Sequence, residues 1–198
     1  MPRPRLRRAP DQARQLILDT AETLLAEGGV AAVGVRAIAA RVGMTDAGVS
    51  HHFGSRDRLL QALLRHGGQK IRTGVDQLLD SWVGRGADLG DLVEHLAAFY
   101  GRGYGELAVA LHAAGWRDDG AGMLDPVVET LHRLRPDPTA RIEDTRLAVA
   151  ALHQALATEP LYGAAFRRSA GLTGPDASSP DAQLRWWTTH LSHTLGLR

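Results

Sequence analysis

Val35-Arg36-Ala37-Ile38-Ala39-Ala40-Arg41-Val42-Gly43-Met44-Thr45-Asp46-Ala47-Gly48-Val49-Ser50-His51-His52-Phe53 is the stretch that decides the fold of this chain. Val35, Ile38, Ala39 and Val42 recur at helical spacing, and Gly43 breaks the run. Thr45 follows, and its hydroxyl can accept from a free backbone N–H at the start of a second helix, which carries Val49 inward and runs towards Phe53. The inward residues are small or apolar, so the two helices can cross closely. The exposed N-terminal face of the second helix can then enter a DNA major groove. Three short helices can also make a plain bundle; the order and spacing of this stretch narrow the reading.

Outward from this stretch, helical spacing persists and strand signals are almost absent. Ala13, Leu16, Ile17, Ala21, Leu24 and Leu25 form one stripe, which Gly28-Gly29 stops. Ser55 is a plausible N-cap, and Asp57 suits the positive end of a helix dipole. A long fourth helix is predicted over 56–83, with Gly67-Gly68 interrupting and bending it. A further helix carries Leu92, Leu96, Phe99 and Tyr100; Gly101, Gly103 and Gly105 loosen the chain before 107–114. After a loop over 115–122, a helix over 124–134 ends at Arg135-Pro136-Asp137-Pro138, because proline cannot donate into a helix. Thr139 caps a helix running to about 158. Residues 160–168 form a short segment, 169–180 read as a flexible loop, and 181–195 form the last helix. The expected fold is all-α: a three-helix head over 1–58 with a basic arm, joined to a helical domain over 59–198.

Composition bounds the chemistry. The chain has 198 residues, 44% apolar and 23% charged, as in an ordinary globular protein. It has no cysteine, which excludes disulfides, thiol nucleophiles and cysteine-ligated zinc. No apolar run is long enough to span a bilayer, and residues 1–10 are basic without the apolar stretch of a secretory signal, so a cytoplasmic protein without a membrane partner is expected. The net charge of +1 hides an asymmetry: residues 1–58 hold nine arginines against six acids, whereas the remainder is mildly acidic. Arg3, Arg5, Arg7 and Arg8 cluster at the start, which suggests a polyanionic partner there, although a short basic tail can also be merely solvated.

The head resembles the DNA-binding domain of the TetR family of regulators. The resemblance runs through residues 14–25, Gly29, 35–53 and then Gly54-Ser55-Arg56-Asp57-Arg58-Leu59-Leu60, about fifty residues without gaps. Three positions depart from the family pattern. Gly34 stands where Ser or Thr usually caps the second helix, Ser50 where a Tyr usually reaches a phosphate, and Arg56 where Lys is usual. Groove chemistry then suggests roles. Thr45 and Ser50 can hydrogen-bond bases or phosphates, Ala47 can meet a thymine methyl, and Asp46 can accept from a cytosine amino group. His51, Arg36 and Arg56 are phosphate candidates, and Arg3, Arg5, Arg7 and Arg8 can follow the minor groove as an arm. Plainer roles stand beside these: Thr45 as a cap, Asp46 as a dipole partner, His52 and Phe53 as packing.

For the remainder, the resemblance implies a sensor and dimer domain, hence a homodimer that binds double-stranded operator DNA and an unknown small-molecule effector. Small and apolar residues of the two last long helices suit a four-helix seam between subunits: Ala148, Ala151, Leu152 and Ala155 on one, Leu184, Trp187, Leu191 and Leu195 on the other, with Trp186 or Trp187 as anchor. Pocket candidates are Trp82, His95, Phe99, Tyr100, Tyr104, His112, Trp116 and His132, which combine aromatic surface with polar tips, though aromatic residues on helices are more often core. No cofactor, metal or catalytic site is expected. None of the nine histidines forms an HExxH helix, and His190 and His193, one turn apart, make only a weak zinc pair without a symmetry mate. Gly101-x-Gly103-x-Gly105 follows a helix, not a strand, which argues against a phosphate loop. The reading is thus a ligand-released repressor. Its alternatives are a TetR-like activator, and an all-helical binding protein or enzyme with a degenerate DNA head.

Overall fold

The computed structural model describes residues 10–82, 85–86, 88–117 and 122–197, and every regular element among them is helical. The chain divides into two compact units, residues 1–66 and 67–198. The N-terminal unit holds α1 (Pro10–Ala32), α2 (Val35–Val42), α3 (Asp46–Phe53) and the start of α4 (Arg56–Trp82).

The expected stop of α1 at Gly28-Gly29 is a kink. Gly29 sits at φ 65, ψ −168, a conformation that side-chain-bearing residues essentially never adopt, and one more helical turn follows. Gly43 ends α2 in the left-handed region, its N–H bonded to the Ala39 carbonyl. The apolar stripes anticipated for these helices form the core of the unit: Ile17, Ala21, Leu25, Ile38, Val49 and Leu63 are all essentially buried. Each large side chain withdrawn from water there contributes on the order of 1.5–3 kcal/mol before entropy is counted.

The second unit continues α4 and adds α5 (Leu89–Phe99), a π-helical turn over Tyr100–Tyr104, α6 (Gly105–Ala113), α7 (Asp125–Leu134) and α8 (Ile142–Thr158). A second π-turn over Glu159–Gly163 leads into α9 (Ala164–Ser169), α10 (Gly174–Ser178) and α11 (Asp181–Leu195). Asp88 caps α5 by accepting from the N–H groups of Gly90 and Asp91. The core forms where α11 packs on α5 and α8, and α8 on α7. Leu92, Leu96, Leu131, Leu152 and Leu191 are buried there.

Three local expectations are corrected. Gly67-Gly68 does not interrupt α4, which runs through both. A Cβ on Gly67 would lie 2.1 Å from the Tyr104 ring, so this glycine admits an aromatic ring against the helix backbone. Thr139 does not cap α8. Its N–H and hydroxyl both donate to the Asp137 carboxylate, an interaction that holds that carboxyl below its ordinary range, and the helix starts three residues later. The expected loop over 169–180 contains α10, because Ala177 is buried and its carbonyl accepts from the buried Arg167.

Candidate functional site

The outer face of α3 is set by what its inner face must bury. Val49 and Phe53 are withdrawn from water, which leaves Thr45, Asp46, Ala47 and His51 exposed and Ser50 half-buried. Thr45 is the N-cap: its Oγ1 accepts from the Gly48 N–H at 3.1 Å. Asp46 stands in the first turn, where the helix dipole favours an anion. Gly34 precedes α2 without any side-chain cap, as its lack of a hydroxyl dictates.

The far end of α3 is held by a residue that sequence reading passed over. Arg14 of α1 donates through Nη1 to the His52 carbonyl at 2.8 Å, and its guanidinium carbon lies 4.3 Å from the Phe53 ring centre. One cation thus satisfies a free carbonyl at the helix end and stacks on an aromatic face. The two partners are thirty-eight residues apart, so no local pattern marks the contact.

The other head arginines divide into two groups. Arg56 donates through Nε to the Val33 carbonyl (2.9 Å) and through Nη2 to the Val30 carbonyl (2.8 Å), tying the start of α4 to the end of α1. A phosphate role for it therefore competes with a structural one. Arg41 pairs with Glu27, and its hydrogen bond holds that carboxyl below its ordinary range; both groups are exposed, so the pair is screened and contributes little. Arg36 is exposed on α2. Arg3, Arg5, Arg7 and Arg8 lie outside the described residues.

In the second unit the aromatic candidates converge only in part. Phe99 stacks on Tyr104 (centres 4.3 Å apart, 8° between planes) and meets Tyr100 edge-on. The Tyr100 hydroxyl is hydrogen-bonded to Nε2 of His153. Burial pushes the Tyr100 phenol up and the His153 imidazole down, so both stay neutral near pH 7. His95 is half-buried, with the ring against Gly74, where a Cβ would lie 2.5 Å from it. Trp82 is buried, Trp116 half-buried and His112 exposed. His132 faces Thr145 at 3.2 Å, and Arg135 donates to the same hydroxyl.

A cleft of roughly 300 Å³ opens elsewhere, between α8, the second π-turn and α11, with Leu156, Leu161 and Leu184 among its walls. Arg167 stands in its wall, buried, and donates to Glu159 (2.6 Å) and Gln183 (3.0 Å). None of the eight pocket candidates lines this cleft. Buried rings such as Tyr104 have gone into core packing instead. Pro160 stands in its wall, in the π-turn that follows α8.

The expected seam residues differ in how far the single chain already buries them. Leu152, Leu191 and Leu195 are at most 1% exposed in the single chain, so they have no surface to offer a partner. Their stripe on α11 faces α5 and α8, because a helix with neighbours on one side turns its larger apolar stripe inward. Ala148, Ala155, Leu184 and Trp187 are half-buried, and only Ala151 of the eight is exposed. The opposite faces carry a different set. Leu147, Ala150, Ala151 and Gln154 are exposed on α8, and Trp186, Thr189, His190 and His193 on α11, each at spacings of three and four. Trp186 is 54% exposed and stacks on His190 at 4.7 Å.

No helix among the described residues is long and apolar enough to cross a membrane. No curated protein matches the sequence significantly. The chain is similar in structure to the multidrug binding protein EbrR. In complex with ethidium the TM-score is 0.53 at 24% identity, covering 91% of this chain and 96% of that one. In complex with imidazole the TM-score is 0.51 at 23% identity, covering 92% and 94%. In complex with proflavin it is 0.50 at 23% identity, covering 91% and 98%. These likenesses show a shared helical fold. Residues 17–63 match the model of the bacterial regulatory proteins of the tetR family, a span that contains α2, α3 and the Arg56 anchor. Over this span, which is about a quarter of the chain, the head carries the sequence pattern of that family.

Proposed function

We propose that the chain is a dimeric repressor that grips operator DNA with α3 and leaves it when a small molecule binds the second unit. The observation that carries this reading is the exposed face of α3, where Thr45, Asp46, Ala47 and His51 are presented by a helix fixed at both ends. Short side chains of this kind reach base edges only when the helix itself lies in the groove. Arg36 and the arginines at positions 3, 5, 7 and 8 supply phosphate contacts, and Arg56 adds to them from its anchored position.

Two subunits present two such helices, and the proposed seam joins the exposed faces of α8 and α11. Ala150 and Ala151 permit close approach, and Leu147 and Trp186 supply apolar area that the single chain leaves in water. The cleft beside Arg167 is the proposed effector site. The fold shared with EbrR makes ethidium and proflavin reasonable first probes.

Fluorescence anisotropy with the DNA upstream of the chain's own gene tests the reading. Specific binding is expected to weaken steeply as salt rises, because neutralised phosphates release counterions. Absence of binding at low salt overturns it. Sedimentation at micromolar concentration is expected to show a dimer that Leu147→Glu with Trp186→Glu converts to monomer; a monomeric wild type removes the seam.

A further inference from the structure

Asp19 and Glu22 lie one turn apart on α1, and His66 lies on α4 within the same unit. His66 Nε2 is 3.3 Å from Asp19 Oδ1 and 3.9 Å from Glu22 Oε2. One donor atom from each of the three lies within 4.8 Å of the others. His66 is 7% exposed, and its Nε2 makes no hydrogen bond among the described residues. A buried ring nitrogen is expensive to leave without a partner, and this one is directed between two carboxylates. Asp19 is oriented in turn, because the Gln15 amide donates to both its oxygens at 3.2 and 3.3 Å.

We propose that Asp19, Glu22 and His66 form a binding site for a divalent transition-metal ion that clamps α1 to α4. An imidazole beside two carboxylates suits zinc, manganese, cobalt or nickel, whereas calcium and magnesium take oxygen donors alone. Metal–ligand bonds of about 2.0–2.2 Å place neighbouring donor atoms roughly 3–3.5 Å apart. The His66–Asp19 separation already meets that spacing, and Glu22 reaches it with a shift of a few tenths of an ångström. Two carboxylates and a neutral imidazole balance the divalent charge. The Asp19 side chain is 46% exposed and Glu22 12%, so the ion enters from the Asp19 side and keeps water in its remaining positions. The clamp acts on the helix whose Arg14 holds α3, and so it stiffens the scaffold of the recognition helix without touching DNA.

The test uses the metal-stripped full-length protein, titrated with Co²⁺ and followed by visible d–d absorption, with Zn²⁺ as competitor. The expected result is one Co²⁺ per chain, displaced by Zn²⁺. Asp19→Asn and Glu22→Gln are each expected to weaken cobalt binding by at least about tenfold, the least that even outer-shell partners of a metal cost. His190→Gln with His193→Gln, the surface pair on α11, leaves the signal unchanged. Because His66 is buried, its replacement can disturb folding; the half-exposed Asp19 keeps the test decisive. Absence of stoichiometric uptake of either metal overturns the proposal. So does uptake indifferent to Asp19→Asn.

Discussion

Two adjacent glycines in α4 are expected to respond to alanine with opposite signs. Alanine gains up to about 1 kcal/mol over glycine in a helix interior, by propensity and by narrowing the unfolded chain. At Gly68 a Cβ would meet, among the described residues, only the Met123 sulfur, at 3.6 Å, an ordinary contact. Gly68→Ala should therefore stabilise by about 0.5–1 kcal/mol, and raise the midpoint by about 1–4 °C for a chain of this size. At Gly67 the new Cβ would lie 2.1 Å from one Tyr104 ring carbon and within 2.7 Å of two more. Tyr104 is fully buried and stacked on Phe99, so its ring has nowhere to retreat. Overpacking costs typically 1–3 kcal/mol, and here the upper end applies. After the propensity gain, Gly67→Ala should lose about 1–2 kcal/mol and melt about 2–8 °C lower. Circular-dichroism melts of the two variants beside the wild type measure both. If Gly67→Ala melts at or above the wild type, Tyr104 is not pressed onto the helix backbone and the reasoning is wrong. If both variants melt lower by the same amount, the account of Gly68 fails as well.

Thr45→Ala removes a cap and should destabilise the head by about 1 kcal/mol, whereas Thr45→Ser keeps the hydroxyl and should not; urea melts decide, and DNA affinity lost equally in both would point to the methyl group instead. Arg14→Ala removes an exposed carbonyl contact and a cation–π contact, together about 1–2 kcal/mol, and should weaken DNA binding by loosening α3, with a salt dependence unchanged from the wild type. A flatter slope of affinity against salt would show that Arg14 meets phosphate itself. His153 has its folded-state pKa depressed by burial. As pH falls below its unfolded value near 6.5, the unfolded chain takes up the proton first, so stability should fall with pH below about 6.5 and His153→Gln should flatten that dependence in pH-resolved melts.

Local patterns were legible and distant ones were not. The helix-turn-helix could be read because each of its devices lies within a few residues: Gly43 ends α2, Thr45 caps α3, and Val49 and Phe53 mark the buried face. Burial on α11 could not be read, because Leu184, Trp187, Leu191 and Leu195 form as good an apolar stripe for a partner as for α5. Only the placement of α5 shows which neighbour took it. The aromatic candidates were ambiguous in the same way: Tyr104 is as large and apolar as a pocket wall, and Gly67 leaves room for it in the core. The Asp19, Glu22 and His66 cluster was invisible because its members stand on two helices with forty-three residues between Glu22 and His66, outside any short metal-binding spacing.

The arginines change most in meaning between sequence and structure. Counted along the chain, nine of them in the first fifty-eight residues argue for a broadly basic DNA-binding surface. Placed in the fold, Arg14, Arg41 and Arg56 are engaged with His52, Glu27 and the end of α1. Of these, Arg14 holds the end of α3 and Arg56 ties α4 to the chain beside α1, so part of the basicity serves the fold of the head. In the proposed complex the electrostatic grip rests on Arg36 and the arginines at positions 3, 5, 7 and 8, with Arg56 adding to them and Arg58 exposed beside it. Each phosphate neutralised adds about 0.9 to the slope of log affinity against log salt. Replacing all four N-terminal arginines should therefore remove up to about 3.6 from that slope per subunit, a loss far larger than any single head arginine can cause. An unchanged slope in anisotropy titrations would show that the arm never meets the backbone, and would return the phosphate contacts to Arg36, Arg56 and Arg58.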